Sequence, residues 1–246
     1  NMKLTKTLEG EILKHAKDCH PQESCGVILI EDPSKPNKLT YLPQENISSD
    51  PLNSFELPTE AWMAGDVVAV VHSHPNGEPF LSGLDRQQQT MHGVPWVLVT
   101  GQQVKVFPCV PHLRGREFDY GKFDCGTLVA DAYNLAGIQL PYQERGSMEF
   151  DTENGTIENY LISNGFVKKD SLEIGDVLLI AFNGQPCHVA IYMGNENILH
   201  HALDQLSRIE PYYGYYIQHT ESIWRHPLYD VQCTVAIQND LGNYHA

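Results

Sequence analysis

A chain of 246 residues with 16 Lys and Arg against 31 Asp and Glu carries a net charge of −15. That balance excludes a nucleic-acid-binding surface and an anionic membrane face as the main working surface, because both call for an excess of basic groups. The length allows one large domain or two small ones, each with a core of its own.

No run of about 18 apolar residues is present, as a membrane-spanning helix would need. The start, NMKLTKTLEG, also lacks an apolar signal core, so the chain is expected to be soluble and made in the cytoplasm. Asn1 stands before Met2 and is read as an addition, outside the fold. None of the six cysteines forms a CxxC pair, which excludes a four-cysteine zinc site and leaves His and carboxylate groups as metal ligands.

In chain order, the spacing of Leu8, Ile12, Leu13 and Ala16 predicts an amphipathic helix from Leu4 to about Lys17, and CGVILI a short buried strand. KLTYLP and the Pro-, Asn- and Ser-rich PQENISSDPLNSFELP lead to a short helix at 59–64. DVVAVVHSH is an apolar run that ends in two histidines, which places them at the end of a buried strand. Residues 83–91 read as a helix, and PWVLVTG with QQVKVFP as a hairpin about Gly101-Gln102. The stretch at 110–116 has the prolines, glycine and charges of a linker.

Beyond it, DCGTLVADAYNLAGI predicts a helix with Leu128, Val129, Ala132 and Tyr133 on one side and Gly137 as its stop. A second helix is expected at 157–163. DVLLIAF, HVAIYMG and NILHHA then read as strands separated by turns at Asn183-Gly184 and Gly194-Asn195. The expected fold is therefore a two-domain α+β and α/β chain. A helix-flanked mixed sheet at 2–109 precedes a domain at 117–230 with helices first and an antiparallel sheet after, and 231–246 is an unassigned extension.

The chemistry begins in HSHPNGEPFLSGLD. Residues two apart on a strand share a face, so His72 and His74 can present both imidazoles to one ion. Asp85, in the first turn of the next helix, can fold back as a third ligand. Three protein ligands leave an open fourth position, as in catalytic zinc sites. The competing reading is two surface histidines beside a turn.

With Glu23 in PQESCGVILI, the two histidines, Ser82 and Asp85 make a set that resembles the JAMM (MPN+) metalloproteases at every chemical position. The resemblance implies zinc on His72, His74 and Asp85. It also implies that Glu23 holds the water and moves its proton, and that Ser82 stabilises the oxyanion. Cys25 is expected to pack beneath this site rather than act in it.

In the second half, Cys125 stands at the start of its helix, where the dipole and free N–H groups favour a thiolate, with Asp124 as N-cap or its neighbour. His188 offers a base, and His200, twelve residues on, can lie on the adjacent antiparallel strand and orient it. DC opening an apolar helix, then IGDVLLI, then HVAIYMG and a polar third residue resembles the NlpC-type papain-like peptidases. One departure is visible: those peptidases usually read Asp-Cys-Ser-Gly, whereas Gly126 and Thr127 follow Cys125 here.

A JAMM domain followed by an NlpC-type domain is similar to the tail assembly proteins of lambda-like tailed bacteriophages. That similarity implies other phage tail tip proteins as partners. It also implies peptidoglycan stem peptides, cut between D-glutamate and diaminopimelate, as the substrate of the cysteine site, and a place in the host cytoplasm during assembly or at the virion tail tip. The alternatives are a zinc protease that trims a tail or partner protein, and a non-enzymatic structural tail component.

Overall fold

The computed structural model describes residues 2–242 and divides into two compact units between Val110 and Pro111. The expectation about Asn1 lies outside the described residues.

In the first unit, helix α1 (Lys6–Cys19) begins at Thr5, whose hydroxyl accepts the Leu8 N–H at 3.2 Å and so satisfies a free amide of the first turn. Five strands follow: β1 (Cys25–Ile30), β2 (Thr40–Gln44), β3 (Asp66–Ser73), β4 (Trp96–Thr100) and β5 (Gln103–Phe107). A short 3₁₀ turn at Thr59–Met63 precedes β3, and helix α2 (Gly83–His92) joins β3 to β4. The sheet runs β2-β1-β3-β4-β5. Only β3 and β4 are parallel, since α2 is the crossover between them, so the sheet is mixed as expected.

On one face Ile28, Ala69, Val71, Val97 and Val99 bury Leu8 and Ile12 of α1. On the other, Val70, Trp96, Leu98 and Phe107 pack with Leu81. Cover on both faces explains why β3 is a continuous apolar run rather than an alternating one. The period of two then puts His72 on the face of Val70.

In the second unit, α3 (Cys125–Leu135), α4 (Met148–Glu153) and α5 (Thr156–Ser163) come before the strands. These are β6 (Val167–Lys169), β7 (Val177–Phe182), β8 (Gln185–Gly194), β9 (Asn197–His200), β10 (Arg208–Pro211) and β11 (Thr220–Arg225), with the short helix α6 (Tyr215–His219) before β11. Helix α7 (Val231–Gly242) closes the described chain. The sheet order is β10-β9-β8-β7-β11-β6 and every pairing is antiparallel.

Helix α3 was expected to bury one side, but it is buried nearly all round. The covering element is α7, whose Cys233 thiol lies 3.8 Å from the Ala136 carbonyl at the end of α3. Residues 231–242, for which the sequence predicts no element, thus help cover α3, and 243–246 lie outside the described residues. Residues 111–116, read as linker, are tied into this unit. Leu113 is fully buried with its N–H donating to Asp240 at 2.8 Å, and the Arg116 guanidinium bonds the Pro111 and His112 carbonyls and Asp131.

Candidate functional site

Two clusters of titratable groups stand out, one in each unit. In the first, β3 ends with His72 and Ser73, and His74 follows with its N–H on the Val99 carbonyl at 2.9 Å. His72 Nε2 lies 3.1 Å from His74 Nε2 and 3.1 Å from Asp85 Oδ2, and His74 Nε2 lies 3.0 Å from the same oxygen. Asp85 is aimed by a capping box: its N–H donates to Ser82 Oγ at 3.0 Å while the Ser82 N–H donates to Asp85 Oδ2 at 2.9 Å. Ser82 is therefore brought to the cluster as the N-cap of α2.

Glu23, two residues before β1, has its backbone fixed by the Pro51 carbonyl and by the Asn46 amide. Its Oε1 lies 3.8 Å from His74 Nε2, and its Oε2 is buried with no hydrogen-bond partner. Glu23, His72 and His74 form a group able to hold a metal ion, with ligand atoms within 4.8 Å of one another. Asp85 Oδ2 lies within 3.1 Å of both histidines, nearer than the 3.8 Å between Glu23 and His74, so it belongs to the same cluster.

The electrostatics match this geometry. Burial pushes Glu23 up to about 7. Asp85, although buried, is held far below the usual carboxylate range by the two histidines. Burial lowers His72, whereas at His74 the Asp85 contact outweighs burial and raises it. Because the Glu78 carbonyl can only accept, its 2.8 Å contact puts a proton on His74 Nδ1 and leaves Nε2 bare when the ring is neutral. His72 is held differently: Phe55 stacks on it at 4.7 Å, Trp96 meets it edge-on at 5.2 Å, and its Nδ1 is buried without a partner. Cys25 is fully buried, and burial pushes its thiol up to about 12.

In the second unit, Cys125 is the first residue of α3. Asp124 is its N-cap in a capping box with Thr127, accepting the Thr127 N–H at 3.0 Å while Thr127 Oγ1 accepts the Asp124 N–H at 2.8 Å. Helix α3 packs against β8, and the Val189 N–H of that strand draws the Cys125 pKa down. The position was expected to favour a thiolate; instead burial, followed by the Asp124 charge, pushes Cys125 up to about 12 against the pull of Val189 and Arg145. Desolvation outweighs the helix terminus because only 8% of Cys125 is exposed.

His188 precedes Val189, and its Nε2 lies 2.8 Å from His200 Nδ1 on the neighbouring strand β9. That leaves His188 Nδ1 as the ring nitrogen not engaged with His200. Burial, then His200, pushes His188 down to about 3.

The structure also explains the departure at Gly126. A Cβ there would lie 2.3 Å from Arg145 Nη2, so a guanidinium occupies the space a side chain would take. Arg145 bonds Asp124 at 3.0 Å and lies over the Tyr120 ring. Sequence reasoning missed Arg145, Phe55 and Glu210, the last of which hydrogen-bonds His200 Nε2. The one available signal for Glu210 is an acid in a short strand directly after the HHALDQLS turn.

Residues 5–110 match the prokaryotic homologs of the JAB domain, and residues 115–225 match the NlpC/P60 family. Among individual proteins, the chain is 40% identical over 185 residues to the tail tip assembly protein K of Escherichia phage lambda, covering 74% of this chain and 93% of that one. It is 30% identical over 236 residues to the tail tip assembly protein K of Escherichia phage N15, covering 90% and 94%. A crystal structure of an NlpC/P60 family protein from Bacillus cereus shares 17% identity at a TM-score of 0.35, over 87% of this chain and 66% of that chain.

Proposed function

This chain belongs to the tail tip assembly protein K family, and on that premise we propose that it is a tail tip assembly hydrolase whose second domain is a cysteine peptidase acting on peptidoglycan stem peptides. The observation that carries this reading is the thiol at the start of α3 set against the strand that bears His188, with His200 bonded behind it. Cys125 is the nucleophile, His188 the base and His200 the residue that orients the base.

In this reading the thiol proton passes to His188 Nδ1 as sulfur bonds the peptide carbonyl. The amide bond then breaks, and the leaving amine takes the proton from His188. Water releases the acyl group from Cys125 in the second half. The N–H groups of Cys125 and Gly126, in the unpaired first turn of α3, are the donors for the oxyanion. Because the resting pair is thiol and neutral imidazole, proton transfer accompanies attack rather than preceding it. Release of dye from labelled sacculi tests the proposal: Cys125→Ala is expected to abolish it, and equal release by that variant would sink the reading.

The first domain fits zinc on its donor set. Three donor atoms 3.0–3.1 Å apart, His72 Nε2, His74 Nε2 and Asp85 Oδ2, come within a few tenths of an ångström of the roughly 3.3 Å edge of a tetrahedral site with bonds of about 2.05 Å. Zinc held there would supply Lewis acidity toward a peptide carbonyl. The buried, unpartnered Oε2 of Glu23 is then the group that moves a proton, and the Ser82 hydroxyl is a donor toward the oxyanion.

A second reading rests on this centre: it trims a tail or partner protein during assembly in the host. Unaltered tail maturation with His74→Ala would remove it.

A further inference from the structure

The chain of hydrogen bonds behind Cys125 does not stop at His200. His200 Nε2 is bonded to Glu210 on β10, which also takes the Tyr216 hydroxyl and the Arg208 guanidinium. The strand pairing makes this possible. His200 lies opposite Arg208, so a side chain two residues along β10 reaches the ring diagonally.

The direction of each bond follows from what the groups can do. An ionised carboxylate only accepts, so the hydrogen between Glu210 and His200 sits on His200 Nε2. A neutral His200 protonated there has a bare Nδ1, so the 2.8 Å contact to His188 Nε2 needs its hydrogen on His188. His188 is then bare at Nδ1, the acceptor a thiol requires. We propose that Glu210 is a positioning residue that fixes the tautomers of His200 and His188 in series and so keeps His188 Nδ1 a base toward Cys125. The inference rests on the reading of Cys125 and His188 given above.

The surroundings keep the series in one protonation state. Burial lowers both histidines. Glu210, despite partial burial, is held below the usual carboxylate range by Tyr216, His200 and Arg208. The other groups facing the series are His201 and Arg208, which both act on His188 and His200, and Asp124, Arg145 and Cys187, which act on Cys125. A simple surface ion pair between Glu210 and Arg208 would not need His200, yet the His200 side chain is fully buried and Glu210 only 21% exposed.

Glu210→Leu tests the proposal, because it removes the acceptor that holds the proton on His200 Nε2, whereas Glu210→Gln keeps a carbonyl oxygen there and serves as the conservative rescue. Without that acceptor both rings are released to invert and His188 presents Nδ1–H to the thiol. Long-range proton–nitrogen NMR on the full chain reads the tautomers directly, with signals assigned through His188→Gln and His200→Gln. The expected result is Nε2–H on both rings of the natural chain and of Glu210→Gln, and Nδ1–H populated on both in Glu210→Leu. On sacculi, kcat is expected to fall on the order of a hundredfold or more with KM little changed.

Nε2–H alone on both rings of Glu210→Leu overturns the proposal. So does Nδ1–H on either ring of the natural chain, a readout that does not depend on the variant folding. If Cys125→Ala leaves dye release intact while the tautomers are as stated, the peptidase reading fails and the role of Glu210 stands.

Discussion

The two centres are built on opposite plans. In the first unit three donor atoms from residues 72–85 converge on one another within 3.1 Å. In the second, His188, His200 and Glu210 stand in series, each bonded to the next, with Cys125 on a helix packed against the strand that bears His188. Convergence concentrates charge: Asp85 is held far below its ordinary range beside two imidazoles, an arrangement suited to a cation. The series disperses it, with His188 near 3 and Cys125 near 12, so thiol and imidazole rest neutral and only the far end carries charge. One plan is suited to holding an ion and the other to moving a proton.

The largest expected effect comes from separating the plans by reagent. A chelator is expected to strip metal from the purified protein and leave dye release from sacculi intact, while a thiol alkylator does the reverse. Elemental analysis beside the release assay checks this, and loss of dye release on chelation alone would show that the two sites do not work independently.

Next in size is the pH dependence of stability. His188 has a folded pKa of about 3, below its ordinary 6.5, so its contribution is present above pH 6.5 and is lost as pH falls toward 3. The contribution is a few kcal/mol, since each unit is about 1.4 kcal/mol. Denaturant unfolding across that range is expected to show a flatter loss in His188→Gln than in the natural chain, and parallel curves would contradict the buried neutral ring.

This contrast also explains what the sequence disclosed. The convergent centre was legible because its three donor side chains lie close in sequence at the end of one strand and on one capped helix turn, so HSHP, Ser82 and Asp85 carry the geometry in their spacing. Cys125 was legible for the same reason, through a capping box. Glu210 was not, because its position depends on the length of the 201–207 turn and on the register of β9 against β10. Phe55 lies in a Pro-, Asn- and Ser-rich stretch with no periodicity, and only the fold stacks it on His72. The sheet order and the cover of α3 by α7 were hidden likewise, since pattern reveals an element and not its neighbour.

A smaller effect probes how His72 is held. A metal-binding histidine usually donates its second ring nitrogen to a fixed acceptor, but His72 Nδ1 has none and rings take that place. Phe55→Ala is expected to weaken zinc binding roughly tenfold, within the range seen when outer partners of metal ligands are removed. Competition with a chelating dye measures it, and an unchanged affinity would show that Trp96 alone fixes the ring.

The smallest effect belongs to Gly126, and it sharpens the contrast because it touches the cap of the serial centre without touching the series. A serine Cβ at 126 would lie 2.3 Å from Arg145 Nη2, so the guanidinium must withdraw and Asp124 loses its 3.0 Å contact. Asp124 keeps the Thr127 and Gly121 N–H bonds, so the start of α3 and the placement of Cys125 survive. Because Arg145 moves at the end of a flexible arm rather than being deleted, the cost is about 1 kcal/mol, below the 3–5 kcal/mol for stripping one partner from a buried pair. Thermal unfolding of Gly126→Ser, Arg145→Ala and the double variant reads this as a cycle. Once Arg145 is gone the space is free, so serine is expected to cost little in that background. Equal losses from Gly126→Ser with and without Arg145 would mean that the guanidinium is not what keeps a glycine beside Cys125.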